Sequence, residues 1–206
     1  MKIVKPSFEI LTNVDGQLML QRIEYAGRIC YKSESRVTFN SAWAFVQRII
    51  KSGHESVIEH ESVTVRIICD RGVSHEIVRH RLASYSQEST RYCNYGKTGE
   101  IVLSPMMWGL TDAQILRRKA LYQNIEEVYL AEVSEGVSPQ QARDNLPTCL
   151  KTEIVMTCNL REWRHFFKLR TALAAHPQMR EITIPMLAEF KRLIPVVFDD
   201  IVPKKT

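Results

Sequence analysis

The sequence predicts an α+β fold, a small antiparallel sheet surrounded by helices, and three observations carry that expectation. Residues 62–69, SVTVRIIC, and residues 152–158, TEIVMTC, have the composition of strands. Longer segments elsewhere repeat apolar residues at helical spacing. No internal repeat, low-complexity tract or linker-like stretch divides the chain, so residues 1–206 are expected to form a single domain. With 45% hydrophobic and 25% charged residues, a chain of 206 residues can bury a proper core.

Along the chain, residues 18–32 place Leu18, Leu20, Ile23, Ala26 and Ile29 in a helical stripe. Residues 38–52 repeat the pattern with Ala42, Phe45, Val46 and Ile49, and Gly53 follows as a helix stop. In the first strand, Val63, Val65 and Ile67 alternate with Thr64 and Arg66. Residues 73–83 read as a short helix ending in a polar loop. Residues 112–135 carry the strongest helical pattern, with Leu121, Ile125, Val128, Tyr129 and Val133 sharing a face. Ser138-Pro139 reads as the N-cap and first-turn proline of another short helix. After the second strand, residues 160–175 and 179–194 read as helices, the latter with Pro185 as a kink or break.

Composition narrows the function classes. No apolar run approaches the roughly 20 residues that span a bilayer, so no membrane association is expected. The N-terminus, MKIVKPSFEI, lacks the apolar stretch and cleavage site of a secretory signal, which predicts a cytoplasmic protein. Cys30, Cys69, Cys93, Cys149 and Cys158 are scattered and odd in number, against a disulfide framework or a zinc ribbon. The net charge is +5, and arginine outnumbers lysine 17 to 11. Arginine presents a planar fork that suits phosphate oxygens, so the excess hints at anionic ligands. No GxGxxG or P-loop is present; any nucleotide must be held mainly by side chains. His75 and His80 are five residues apart, about 140° on a helix, and so do not share a face as zinc-binding HExxH histidines do. His54 and His60, six apart, fail in the same way, and no metal is expected.

The segment RHRLASYSQESTRY at 79–92 concentrates the chemistry. Arg79, His80 and Arg81 open it, Arg91 closes it, and Ser84, Ser86, Ser89 and Thr90 lie between. Forked guanidinium donors beside hydroxyl and backbone donors form a good composition for a phosphomonoester or pyrophosphate. The same residues also fit a solvated surface loop or contacts to a nucleic-acid backbone. Lysines and arginines do not gather into one long basic run, so no nucleic-acid partner is expected.

Arg79-His80-Arg81, then seven residues, then Ser89 resembles the signature of the flavin-dependent thymidylate synthases, and the match continues in Ala83, Ser84, Arg91 and Tyr92. HESVIEH at 54–60, QARDNLP at 141–147 and NLREWRHFFKLR at 159–170, followed by His176-Pro177-Gln178, resemble further family segments in the same order. Two positions depart from the family pattern. Ser86-Gln87 stands where the family often has Asn-Glu, and Glu76 where it often has Gln.

The resemblance implies an α+β catalytic domain over residues 1–206 that methylates dUMP to dTMP. It implies FAD as cofactor, NADPH and 5,10-methylenetetrahydrofolate as co-substrates, and a homotetramer with active sites shared between subunits. It also implies roles for single residues. Ser56, Arg79, His80, Arg81, Gln87, Asn159, Arg161 and His165 would bind the cofactor, with His54 near flavin and folate. Glu76, Arg79, Gln87, Ser89, Arg91, Arg143 and Arg170 would bind dUMP. Arg170 would be catalytic, stabilising negative charge that develops on the uracil ring at N3 and O4. Ser89 would position dUMP rather than attack it, because a serine nucleophile needs an adjacent base.

Overall fold

In the computed structural model, which describes residues 1–203, the elements run β1 (Lys2–Ile3), β2 (Ser7–Ile10), α1 (Gly16–Ile29), α2 (Ser41–Lys51), β3 (Ser62–Asp70), α3 (Arg71–Ile77), β4 (Ala83–Gln87), β5 (Val102–Leu103), α4 (Asp112–Ser134), α5 (Pro139–Ala142), β6 (Lys151–Asn159), α6 (Leu160–Arg170) and α7 (Pro177–Leu193). Four strands form a sheet in the order β2-β3-β6-β4, and β1 pairs with β5. The α+β expectation is met. The β1–β5 pair, however, runs parallel, Lys2 opposite Val102 and Ile3 opposite Leu103, where antiparallel strands were expected.

The chain forms two compact units. The first gathers Met1–Ser7, Ile67–Val78 and Ser86–Ile154. Its core is Ile101, Leu103, Tyr122, Tyr129, Ala142 and Leu150. Helix α4 starts at a capping box, in which Thr111 and Gln114 each bond the other's backbone N–H. Its inward face differs from the expected one: Tyr122, Glu126 and Tyr129 are buried, whereas Leu121 and Val128 are exposed. Glu126 explains the difference. Its carboxylate takes the N-terminal ammonium of Met1 at 2.5 Å and the N–H of Ile101 at 2.9 Å, so a charged residue is stable inside.

The second unit gathers Phe8–Arg66, Arg79–Tyr85 and the chain from Val155 onward. Its core is aromatic: Trp163, Phe166, Phe167, Phe190 and Phe198 lie with ring centroids 5.0–5.7 Å apart. The Trp163 indole N–H donates to the Val63 carbonyl at 3.0 Å. Helix α1 buries Met19, Leu20, Ile23 and Gly27, whereas Leu18 and Ile29 of the predicted stripe are exposed. A Cβ on Gly27 would lie 2.7 Å from the Phe45 ring of α2, so glycine permits that close approach. Helix α2 buries Ala42, Phe45, Val46 and Ile49, as predicted.

Two boundaries differ near the functional segment. The helix predicted over 73–83 ends at Ile77, and the presumed polar loop contains strand β4. The helix predicted over 160–175 ends at Arg170, where Thr171 caps it. Pro185 lies within α7 without ending it.

Candidate active site

The candidate residues divide between the two units. Ser56, His54, Arg79, His80, Arg81, Asn159, Arg161, His165 and Arg170 belong to the second; Glu76, Gln87, Ser89, Arg91 and Arg143 belong to the first.

In the second unit, helix α6 is the organising element. Strand β6 ends at Asn159, whose side chain accepts the Glu162 N–H at 2.9 Å and so caps the helix. The strand therefore passes into the helix with no loop between them. A cavity of about 780 Å³ is lined by Glu55, Glu59, Leu82, Asn159, Arg161, Glu162, His165 and Lys168. Three predicted flavin-binding residues, Asn159, Arg161 and His165, thus share one wall. The acidic groups there are matched by cations: Arg161 bonds Glu59 at 2.5 Å and Lys168 lies 3.5 Å from Glu55. Ser56 is exposed in a 3-10 turn over Glu55–His60, and Arg79 and Arg81 are exposed on either side of His80.

His54 is placed by the end of α2. Gly53 adopts φ +70°, its N–H donates to the Ile50 carbonyl, and the His54 N–H donates to the Ile49 carbonyl. This is a Schellman stop, which requires a left-handed residue and favours glycine. The His54 side chain lines a separate cavity of about 510 Å³ with Arg28, Lys32, Arg36 and Arg48. His54 does not line the cavity that holds Asn159, Arg161 and His165.

His80 is buried, and both ring nitrogens are engaged. Nδ1 lies 2.9 Å from Glu162 Oε1, and Nε2 accepts from Nε of Arg170 at 3.1 Å. Tyr85 donates to the His80 carbonyl at 2.7 Å, which fixes its backbone. Burial pushes the His80 pKa below the ordinary histidine value; the Glu162 bond pulls it up, and Arg170 and His165 push it down. The net effect keeps the ring neutral. Ligand atoms of His80, Glu162 and His165 all lie within 4.8 Å of one another, a spacing that a metal ion also uses. Both His80 nitrogens are already bonded, Nδ1 to Glu162 and Nε2 to Arg170, and a guanidinium beside them opposes a second cation.

In the first unit, Gln87 donates its amide nitrogen to Ser74 Oγ at 2.8 Å and to Thr152 Oγ1 at 3.1 Å. Both N–H donors are thereby used, so the carbonyl oxygen is what Gln87 can turn to a ligand. That suits an N–H group, not a phosphate. Ser89 accepts the Arg91 N–H on Oγ at 3.3 Å, while its carbonyl accepts from Tyr92 and Cys93. The Ser89–Cys93 turn is anchored by Glu88. Its carboxylate takes the Tyr95 hydroxyl at 2.5 Å and Lys151 at 3.1 Å, and its carbonyl takes Arg71 at 2.8 Å. Arg91 is exposed over the Tyr92 ring at 5.5 Å, and Arg143 opens an exposed 3-10 turn after α5. Glu76 is half-buried in α3.

Two groups escaped the sequence reading. Glu88 sits inside the motif but anchors rather than faces outward. Glu162 stands three residues after an Asn N-cap, the spacing of a capping box, which would assign its carboxylate to the helix end. The carboxylate goes to His80 instead. Burial raises the Cys149 thiol pKa, so it is not an activated nucleophile.

In this α+β protein a neutral histidine is held between a carboxylate and a guanidinium, and that carboxylate, Glu162, also lines a cavity with Glu55, Glu59, Asn159, Arg161, His165 and Lys168. A family model described as thymidylate synthase complementing protein matches residues 17–196, and the chain belongs to that family. The flavin-dependent thymidylate synthase of Geobacter sulfurreducens is 35% identical over 188 residues, covering 88% of this chain and 81% of that protein. The flavin-dependent thymidylate synthase of Mycobacteroides abscessus is 34% identical over 216 residues, covering 96% and 85%. Among solved structures, a UMP/dUMP methylase PolB from Streptomyces cacaoi bound with 5-Br dUMP shares the fold. Its TM-score is 0.78 at 22% identity, over 97% of this chain and 96% of that one.

Proposed function

We propose that the protein is a flavin-dependent thymidylate synthase acting as a single catalytic domain over residues 1–206. It methylates dUMP at C5 to give dTMP, with 5,10-methylenetetrahydrofolate as carbon donor and NADPH-reduced FAD as hydride source. The observation that carries this reading is the Arg79-His80-Arg81 segment, whose histidine is tied to Arg170 and to helix α6 of the cavity wall. The family match runs from residue 17 to residue 196, through both compact units. No helix among the described residues is long and apolar enough to cross a membrane, which accords with a cytoplasmic enzyme.

A cavity of about 780 Å³ has room for part of a dinucleotide cofactor and carries the amide of Asn159 and the cations Arg161 and Lys168, which Glu59 and Glu55 hold until a phosphate competes for them. Asn159, Arg161, His165, Ser56, Arg79, His80 and Arg81 would hold FAD, which supplies the hydride chemistry when bound. His54 would stand near flavin and folate. Ser89, Arg91 and Arg143 would bind the dUMP phosphate, with Arg79, Glu76 and the Gln87 carbonyl completing the substrate site. Arg170 would lie against the uracil ring and stabilise the negative charge that makes C5 nucleophilic. No enzyme nucleophile takes part: both ring nitrogens of His80 are bonded elsewhere, so His80 does not serve as a base for Ser89. The working enzyme is a homotetramer whose active sites draw on neighbouring subunits.

The visible spectrum of the purified protein tests this reading. A yellow protein that bleaches with NADPH, releases the C5 hydrogen of dUMP and forms dTMP in the presence of the folate is expected. A colourless protein that neither binds FAD nor turns over after reconstitution overturns it.

A further inference from the structure

We propose that Glu162 is a positioning residue: acting through His80, it sets the orientation of the Arg170 guanidinium. The inference rests on the reading of Arg170 as the group that polarises the uracil ring.

The tautomer follows from the two bonds. The Nε of an arginine always carries a hydrogen, so the atom it meets at 3.1 Å must offer a lone pair. His80 Nε2 is therefore bare. A neutral imidazole with a bare Nε2 carries its proton on Nδ1, and Nδ1 meets a Glu162 oxygen at 2.9 Å. An ionised carboxylate only accepts, so it selects the same tautomer that Arg170 needs. The order is thus carboxylate, Nδ1–H, bare Nε2, guanidinium N–H. Each bond supports the other, and the outcome is a guanidinium whose plane is fixed before substrate arrives.

The surroundings reinforce the arrangement. The side chains of His80 and Glu162 are 2% and 8% exposed, so water competes little for either bond. The Glu162 backbone is fixed by the Asn159 cap. The groups facing the imidazole are Glu162, Arg170, the His165 ring with its centroid at 5.5 Å, and the Phe166 ring at 4.9 Å. Among them Glu162 favours a proton on Nδ1 by accepting it, and Arg170 favours the same tautomer by donating to Nε2. Replacing Glu162 by glutamine weakens the choice and leaves it to Arg170 alone, because an amide can present either an acceptor or a donor to Nδ1. The alternative Nε2–H tautomer then sets two donors face to face, and the Arg170–His80 bond is lost.

Nitrogen NMR of histidine-labelled, flavin-loaded enzyme reads the tautomer without any substitution. His80 is expected with Nδ1 protonated and Nε2 bare near neutral pH. Enzyme that turns over dUMP yet shows a protonated Nε2 on His80 overturns the proposal. Protein that neither holds flavin nor turns over dUMP overturns instead the functional reading on which it rests. In Glu162→Gln, the expected result is retained flavin, a kcat/KM for dUMP lower by about tenfold or more, and an acid limb moved to lower pH. The limb moves that way because the carboxylate that raises His80's proton affinity is gone; a merely structural role leaves it in place. Glu162→Asp, with a carboxylate on a shorter arm, should recover part of both effects. Glu162→Gln with an unmoved acid limb and kcat/KM within about twofold of wild type also sinks the proposal. Should Glu162→Gln not fold, the wild-type tautomer and Glu162→Asp decide.

Discussion

The Arg164 guanidinium holds the Asp200 carboxylate at both ends, Nη1 to Oδ1 at 2.6 Å and Nη2 to Oδ2 at 2.8 Å. The same group donates to Glu55 through Nε and Nη2, and to the Val197 carbonyl. Burial lowers the Arg164 pKa, but Asp200 and Glu55 outweigh it and hold it above the usual arginine value. Helix α6 is thus tied to the 3-10 turn before β3 and to the segment after α7. Arg164→Ala leaves the half-buried Glu55 carboxylate to Lys168 at 3.5 Å and should cost about 3 kcal/mol, the lower end for a broken buried pair because Asp200 is half exposed. Urea unfolding checks this; an unchanged midpoint contradicts it.

Asn159 caps α6 through the Glu162 N–H. Asn159→Ala should destabilise the protein by about 1 kcal/mol, and Asn159→Asp or Asn159→Ser should restore most of it. The alanine variant should also hold flavin less tightly, since Asn159 lines the cavity. A lowered Tm in all three variants alike would show that the cap contributes nothing.

Glu88 fixes the Ser89–Cys93 turn from behind. In Glu88→Ala, KM for dUMP should rise about three- to tenfold, the loss of one or two net hydrogen bonds. Flavin content should not change, because Glu88 anchors the turn proposed to bind the dUMP phosphate. Flavin loss with unaltered KM would reverse that assignment. Lys151 takes part as well. Burial lowers its pKa, yet its bonds to Glu153 and Glu88 prevail and raise it, so it remains charged.

Arg170→Lys keeps the charge but removes the planar Nε–H that meets His80. Release of the C5 hydrogen of dUMP should slow by about a hundredfold, with flavin still bound and reducible by NADPH. A lysine variant with near-normal release would remove Arg170 from the chemistry.

The pH dependence follows from His80, whose pKa lies below the ordinary 6.5. In the unfolded chain histidine takes a proton as pH falls through about 6.5, while folded His80 takes it only further down. Its contribution to stability is therefore complete above 6.5 and is lost as pH falls from there to the folded value. Activity should persist below 6.5 and fail once Nε2 is protonated and faces the Arg170 N–H. An acid limb at or above 6.5 that His80→Gln leaves untouched would assign the limb to another group.

Much of this was legible in the sequence, and the exceptions have physical causes. The nine-residue strands β3 and β6 were plain because each buries alternate residues. Strand β4 was not, because ASYSQ lies on the edge of its sheet and alternates only between half-buried and exposed positions. The α4 face was misjudged because Glu126 is inside, and hydrophobicity cannot see that its carboxylate meets the chain's own N-terminus. In the candidate site, the resemblance singled out Arg79, His80, Asn159 and Arg170, and the structure joins His80 to Arg170. Glu162 was not, because its partner lies 82 residues away in the chain.

The absence of a loop between β6 and α6 has one further consequence. A helix turns about 100° per residue, so inserting or deleting a single residue after Asn159 would swing every later side chain of α6 through that angle. Arg161, Glu162, His165 and Arg170 would leave their stations together, as teeth on one shaft. The joint therefore works as an indexing device for the candidate active site: the length of chain at this point sets which way every side chain of the helix faces.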